Sequence, residues 1–183
     1  NCSLNTAYPS VRTYYPRLYD AKFIKGAIAG TLTQDGRIGY VADYPTYGSI
    51  AGINAFARGP GWSTPRPVYL EWANLKEGGG VERLHSRGIV YIDHLDRLAA
   101  NTGNDMHGMH NLALIQCHWG RLYRSLVRRV VEGSWKQEER GSSAISYWWG
   151  MTQGIVGVLC SRRLPIGTRR LASVLRDAIR EDR

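Results

Sequence analysis

A chain of 183 residues, 43% hydrophobic and 21% charged, can bury one sizeable core and suits a single α/β domain. It has no apolar run of about 18 residues, so no membrane-spanning helix is coded. The net charge of +9 would attract anions. The Arg and Lys residues are scattered over helix faces, however, without zinc-finger spacing, an RNP-like motif or a basic tail, so nucleic acid is not expected as a partner.

The chain starts at Asn1 rather than Met and reads as a piece or mature form of something longer. Cys2, Cys117 and Cys160 are odd in number and widely spaced, which fits neither a disulfide framework nor a CxxC pair. Cys117 and Cys160 lie in apolar stretches and read as buried thiols. His107 and His110 sit in a Gly/Asn/Met loop without a second ligand pair, so no metal site and no cofactor is implied.

Residues 1–16 form an irregular opening segment ending at Pro16, which suits a helix start. Leu18, Ala21, Ile24, Ala27 and Ile28 recur at helical spacing and predict a helix over 17–33. Asp35-Gly36 closes it as a turn. Ile38–Ala42 reads as a short buried strand. Ser49 is a plausible N-cap for a helix with Ile50, Ile53 and Ala57 on one face, ended by Gly59-Pro60-Gly61. Strands are then predicted at 67–72, 88–93 and 111–117, with a short helix at 81–86 between the first two. The helix over 119–132 carries Leu122, Leu126, Val127, Val130 and Val131 as an expected core stripe, and Gly133 stops it. A strand at 144–148, a small-residue segment at 150–160 and a closing helix at 165–179, with Leu171, Val174, Leu175 and Ile179 inward, complete the chain. Strands alternating with helices predict a mainly parallel sheet.

In such a sheet, ligands bind beyond the carboxyl ends of the strands. Those ends nominate Asp43 and Tyr44, Trp72, Asp93 and His94, and His118 and Trp119. Carboxylates accept hydrogen bonds from sugar hydroxyls, and aromatic rings stack on flat ligands. Each also has a structural reading: Asp93 as a cap for a helix near Leu95, Trp72 as a packing residue. GxSxG, Walker A and GxGxxG are all absent, so no nucleophile or phosphate loop is coded. A small α/β enzyme using Asp93, His94 or His118 would need a convergent polar pocket that the sequence does not specify.

The run IGYVADYPTYGSIAGINAFARG resembles the basic membrane protein (BMP) family of solute-binding proteins, the PnrA-like nucleoside-binding group. The stretches VYLEW, WGRLYRSLVRRVVEGSW and AISYWWGMTQGIVGVLCSRRLPIGTRRL extend the resemblance, as does the opening segment from Ser3. The resemblance implies one flavodoxin-like lobe of a type I periplasmic binding protein, the second lobe, with hinge segments at both ends. Residues 1–16 would be hinge, 17–132 the α/β lobe, and 133–183 the returning strand and closing helices. It further implies a non-enzymatic receptor for a nucleoside-like small molecule. Its partners would be a first lobe that this sequence lacks and an ABC-transporter permease, outside the cytoplasm on a lipoprotein anchor. Asp43, Tyr44 and Tyr47 match the family's contact turn, and His118 and Trp119 match a later contact segment more loosely. The family's Lys near that segment is replaced, with Arg121 the nearest cation. The other reading is a regulatory, sensor or protein-interaction lobe without its own pocket, cytoplasmic in the sensor case, predicted to form a homodimer over the hinge face.

Overall fold

Strand β2 (Ile38–Ala42) is buried at every position, because helices cover both faces of the sheet around it. It is seen here in a computed structural model that describes residues 12–61, 66–73, 79–95, 97–101, 109–135 and 146–181. The segment 1–11 with Cys2, the residue His107, the loop 136–143 and the side chain of Tyr47 lie outside the described residues.

β2 lies between β3 (Val68–Trp72) and β4 (Tyr91–His94), parallel to both. The sheet continues through β5 (Arg97–Asn101), β6 (Met109–Cys117) and β8 (Val156–Cys160), each antiparallel to its neighbour, in the order β3-β2-β4-β5-β6-β8. β2, β3, β4 and β6 therefore run one way, and β5 and β8 run against them. The expected parallel set of strands holds, but the two reversed strands make the sheet mixed. On one face lie α1 (Leu18–Leu32), α2 (Tyr47–Arg58) and α5 (Ile166–Arg180), over a core built on Ile24, Ile28, Ile38, Phe56 and Leu98. On the other face α3 (Gly80–Ser86) seals Val41, Leu84, Ile89 and Ile92. Among the described residues no helix is long and apolar enough to cross a membrane.

The remaining strands, β1 (Thr13–Pro16) and β7 (Ser146–Trp149), form a separate two-stranded parallel ribbon. The chain enters the lobe through β1. It leaves the sheet at Cys117 into α4 (Trp119–Val131) and returns through β7. Arg12 fastens this joint. Its guanidinium donates to the Tyr147 hydroxyl at 2.9 Å and to the Trp135 carbonyl at 2.7 Å, and lies 3.5 Å from the centre of the Trp135 ring. The Thr13 and Ser146 hydroxyls meet at 2.7 Å across the ribbon.

Several local expectations change. Helix α2 begins at Tyr47 with Thr46, not Ser49, at the N-cap. Its buried residues are Gly52 and Phe56, which leaves Ile50 exposed. No helix follows Asp93: Leu95 takes a left-handed conformation (φ 53°) in the turn between β4 and β5, and the chain doubles back as a hairpin. The strand expected at 88–93 starts only at Tyr91, since Gly88 (φ 75°) still belongs to the turn after α3. The small-residue segment ends in β8, an edge strand on β6. In the expected core stripe of α4 only Leu122 is buried, and Val127, Val130 and Val131 are exposed; Val174 of α5 is exposed as well. Cys117 and Cys160 are half-buried rather than fully enclosed.

Two devices lock α1 in place. Gly26 lets the backbone of α2 approach closely, since a methyl there would run into the Phe56 carbonyl. Below it, Lys22 and Lys25 of α1 both reach the fully buried Asp93 of β4, at 2.7 Å and 2.5 Å. Lys22 also donates to the Leu95 carbonyl. Burial pushes Lys25 down to about 8, against the pull of Asp93 and with the repulsion of Lys22 adding to it. For Lys22, burial is outweighed by Asp93 and Tyr40, and its pKa rises.

One carboxylate thus serves two ammonium groups. Asp93→Asn would leave both without a counter-charge and should cost about 3–5 kcal/mol of unfolding free energy in urea titrations. Lys25→Met keeps the Lys22–Asp93 pair and should be neutral or stabilising at pH 7. A stable Asp93→Asn variant would show that the trio does not hold α1.

The pH dependence has a defined sign. Between about pH 8 and 10 the unfolded chain keeps a proton on Lys25 that the folded chain has lost, so stability rises with pH, on the order of 2–3 kcal/mol from this group. The raised Lys22 acts oppositely, and its contribution is lost once pH passes its folded pKa. Urea midpoints across pH 7–10 should show the rise in the wild type and a flatter profile in Lys25→Met.

Candidate functional site

The C-terminal end of β2 runs straight into the turn Asp43–Thr46, which cannot continue as strand because Pro45 carries no backbone donor. The turn opens a cavity of about 640 Å³ between the end of the sheet, the first turn of α2 and the β1–β7 ribbon. That volume is in the range of small-molecule sites.

Its floor is Tyr40, Val41, Ala42 and Lys22, with Leu95 of the β4–β5 turn at the rim. Tyr40 packs edge-on to Phe56 with ring centroids 5.1 Å apart, and the Lys22 ammonium sits 4.8 Å above its ring. Burial raises the Tyr40 hydroxyl pKa although Lys22 pulls it down, so it stays a neutral donor at ordinary pH. One wall is aromatic: Tyr15 of β1 and Trp148 of β7 lie 5.3 Å apart at a 40° tilt. Another part of the lining is polar: the Thr46 and Ser49 hydroxyls, 3.2 Å from each other at the start of α2, and Asp43. Gly48 lets the start of α2 lie close to Tyr15, because a side chain there would collide with the Tyr15 hydroxyl.

The strand-end residues separate sharply. Asp43 lines the cavity. Tyr44 is exposed on the same turn, just outside the lining, and the backbone of Tyr47 starts α2 at its edge. Asp93 points into the core and supports the floor through Lys22. Trp72 packs on the core at the end of β3, and Arg83 donates to its carbonyl at 3.2 Å. His118 and Trp119 lie at the end of β6 beside the β1–β7 ribbon: the His118 amide donates to the Ile155 carbonyl, and Trp119 meets Tyr14 edge-on at 5.8 Å. The structure does not bring Trp72, His118 and Trp119 to this cavity.

Sequence reasoning missed Tyr15, Lys22 and Thr46 as lining residues. Tyr15 and Trp148 are 133 residues apart, and only the β1–β7 pairing, with Tyr15 opposite Trp148, joins them. The one available signal was aromatic density at both ends of the lobe, TYYP and SYWW. Among the cavity's described lining residues the charged groups are Lys22 and Asp43, a set suited to holding a polar ligand and lacking a paired nucleophile and base.

No protein-family model matches the chain. A purine-binding protein of Brucella abortus is 25% identical over 185 residues, covering 89% of this chain and 51% of the relative. A putative ABC transporter glucose-binding protein of Haloferax volcanii is 23% identical, covering 78% of this chain and 40% of the relative. The chain thus spans about half the length, or less, of these curated relatives. Two solved structures share its fold: an ABC transporter solute-binding protein from Conexibacter woesei (TM-score 0.64, 12% identity) and a transcriptional activator of the comK gene from Bacillus halodurans (TM-score 0.63, 14% identity). Each match covers 94% of this chain, and 64% and 65% of the solved chains respectively. In sequence this chain is similar to binding proteins rather than enzymes, and its fold is that of a solute-binding protein, as the sequence resemblance implied.

Proposed function

We propose that this chain is the second lobe of an ABC-type solute receptor of the BMP/PnrA-like kind and that its cavity takes a nucleoside-like ligand. The observation carrying this reading is the cavity's two-sided chemistry. Tyr15 and Trp148 offer ring surface on one wall, and Asp43, Thr46 and Ser49 offer oxygen partners on the other. A flat base joined to a hydroxylated sugar fits both walls at once, whereas a free sugar uses the polar wall fully and the ring pair only in part. The likeness to a purine-binding protein supports the same choice. Asp43 would contact the ligand, with Tyr44 on the same turn and Tyr47 at the start of α2 as further candidate contacts. A first lobe would close over it by rotation about the β1–β7 ribbon. Such a receptor works outside the cytoplasm and delivers its ligand to a permease. The alternative of an interaction lobe without a pocket predicts a filled cleft, and the open volume speaks against it.

Scanning fluorimetry with adenosine, guanosine, inosine, free bases and glucose tests the reading. Nucleosides should raise the Tm, with a gain of about 2.7 kcal/mol at a hundredfold excess over Kd. Trp148→Ala should weaken binding by about 1–3 kcal/mol, roughly 5- to 150-fold in Kd. A panel in which glucose alone raises the Tm, or nothing does, would overturn the assignment.

A further inference from the structure

Among the described residues, Leu95 is the one non-glycine with a left-handed backbone (φ 53°). It follows β4 in the tight turn to β5, where His94 pairs with Arg97. Two-residue hairpin turns take positive φ at their first central position, and Gly, Asn and Asp adopt it most readily. A leucine there crowds its Cβ against the following carbonyl oxygen, so it is held at a conformational cost. Core packing does not offset that cost. The side chain is 49% exposed and belongs to neither of the apolar clusters that cover the sheet.

The turn is fixed from α1. Two residues before Leu95, the buried Asp93 is tied to Lys22 and Lys25. The Lys22 ammonium also donates to the Leu95 carbonyl at 2.5 Å. Strained backbone that its surroundings over-determine clusters where proteins meet ligands. Leu95 stands in such a place, since it lines the cavity with Tyr15, Lys22, Val41, Asp43 and Trp148. We propose that Leu95 is a ligand-contacting residue, whose methyl groups meet the base of a nucleoside in the cavity and favour ring-bearing ligands over free sugars. A purine offers apolar ring surface to such a partner, whereas a sugar carries hydroxyls over most of its surface and gains less. The inference rests on the nucleoside reading and adds to it an apolar contact at the rim that bears on specificity.

Variants at this one position separate contact from folding. Leu95→Gly and Leu95→Asn both suit a left-handed backbone and remove the methyl groups. Each should raise the inosine Kd in calorimetric titrations by about fivefold or more, with a ligand-free Tm no lower than that of the wild type. Leu95→Met keeps an apolar chain and should bind within about threefold of the wild type. In protein with ¹³C-labelled leucine methyl groups, the Leu95 signals being those lost in Leu95→Met, bound inosine should show NOEs from its base protons to Leu95. An unchanged Kd in the Gly and Asn variants, a ligand-free Tm lowered in both, or bound inosine without these NOEs would each overturn the proposal. Wild-type protein that binds no nucleoside would overturn the nucleoside reading with it, whereas wild-type binding that the Gly and Asn variants share would overturn this proposal alone.

Discussion

One buried carboxylate organises this lobe. Asp93 draws Lys22 and Lys25 of α1 onto the end of β4, and Lys22 in turn spans to the Leu95 carbonyl and the Tyr40 ring. The trio carries more positive than negative charge inside the protein, which is costly unless geometry and hydrogen bonding repay it. What it secures is position. The axis of α1 is fixed against the sheet, Gly26 then sets how closely α2 can lie on α1, and the first turn of α2 forms a cavity wall. An error in the trio would therefore propagate to the ligand site.

The cavity depends equally on the ribbon. Tyr15 and Trp148 belong to β1 and β7, through which the chain enters the lobe and returns to it, so the aromatic wall is part of that two-stranded ribbon. A ligand resting on it would sense the geometry of that ribbon directly. Under the proposed receptor reading, such contact would couple binding to rotation about the ribbon.

Much of the fold was legible in local patterns. The β2 strand and α1 come within a residue of their predicted limits, because a continuous apolar run and a clean helical period leave little choice. β5 was missed because Arg97-Leu98-Ala99-Ala100-Asn101 has weak strand propensity and is held as a strand by pairing on both sides. The stripe of α4 was read correctly as apolar and wrongly as core, since periodicity marks a face that wants burial without naming what buries it. Of the cavity lining, Asp43 was legible from the strand-turn-helix signature. Trp72, Asp93, His118 and Trp119 were nominated by the same strand-end rule, but a side chain's direction is not encoded there. Asp93 turns inward to the lysines, His118 is held by the Ile155 carbonyl and Trp119 packs on Tyr14.

The central claim is that a nucleoside-like ligand rests on the hinge aromatics, and the indole N–H resonances of ¹⁵N-labelled protein report on it most directly. Titration with inosine should move the Trp148 indole signal in proportion to saturation and leave Trp72 nearly still. Movement of Trp72 with a stationary Trp148 would place the ligand elsewhere and contradict the account.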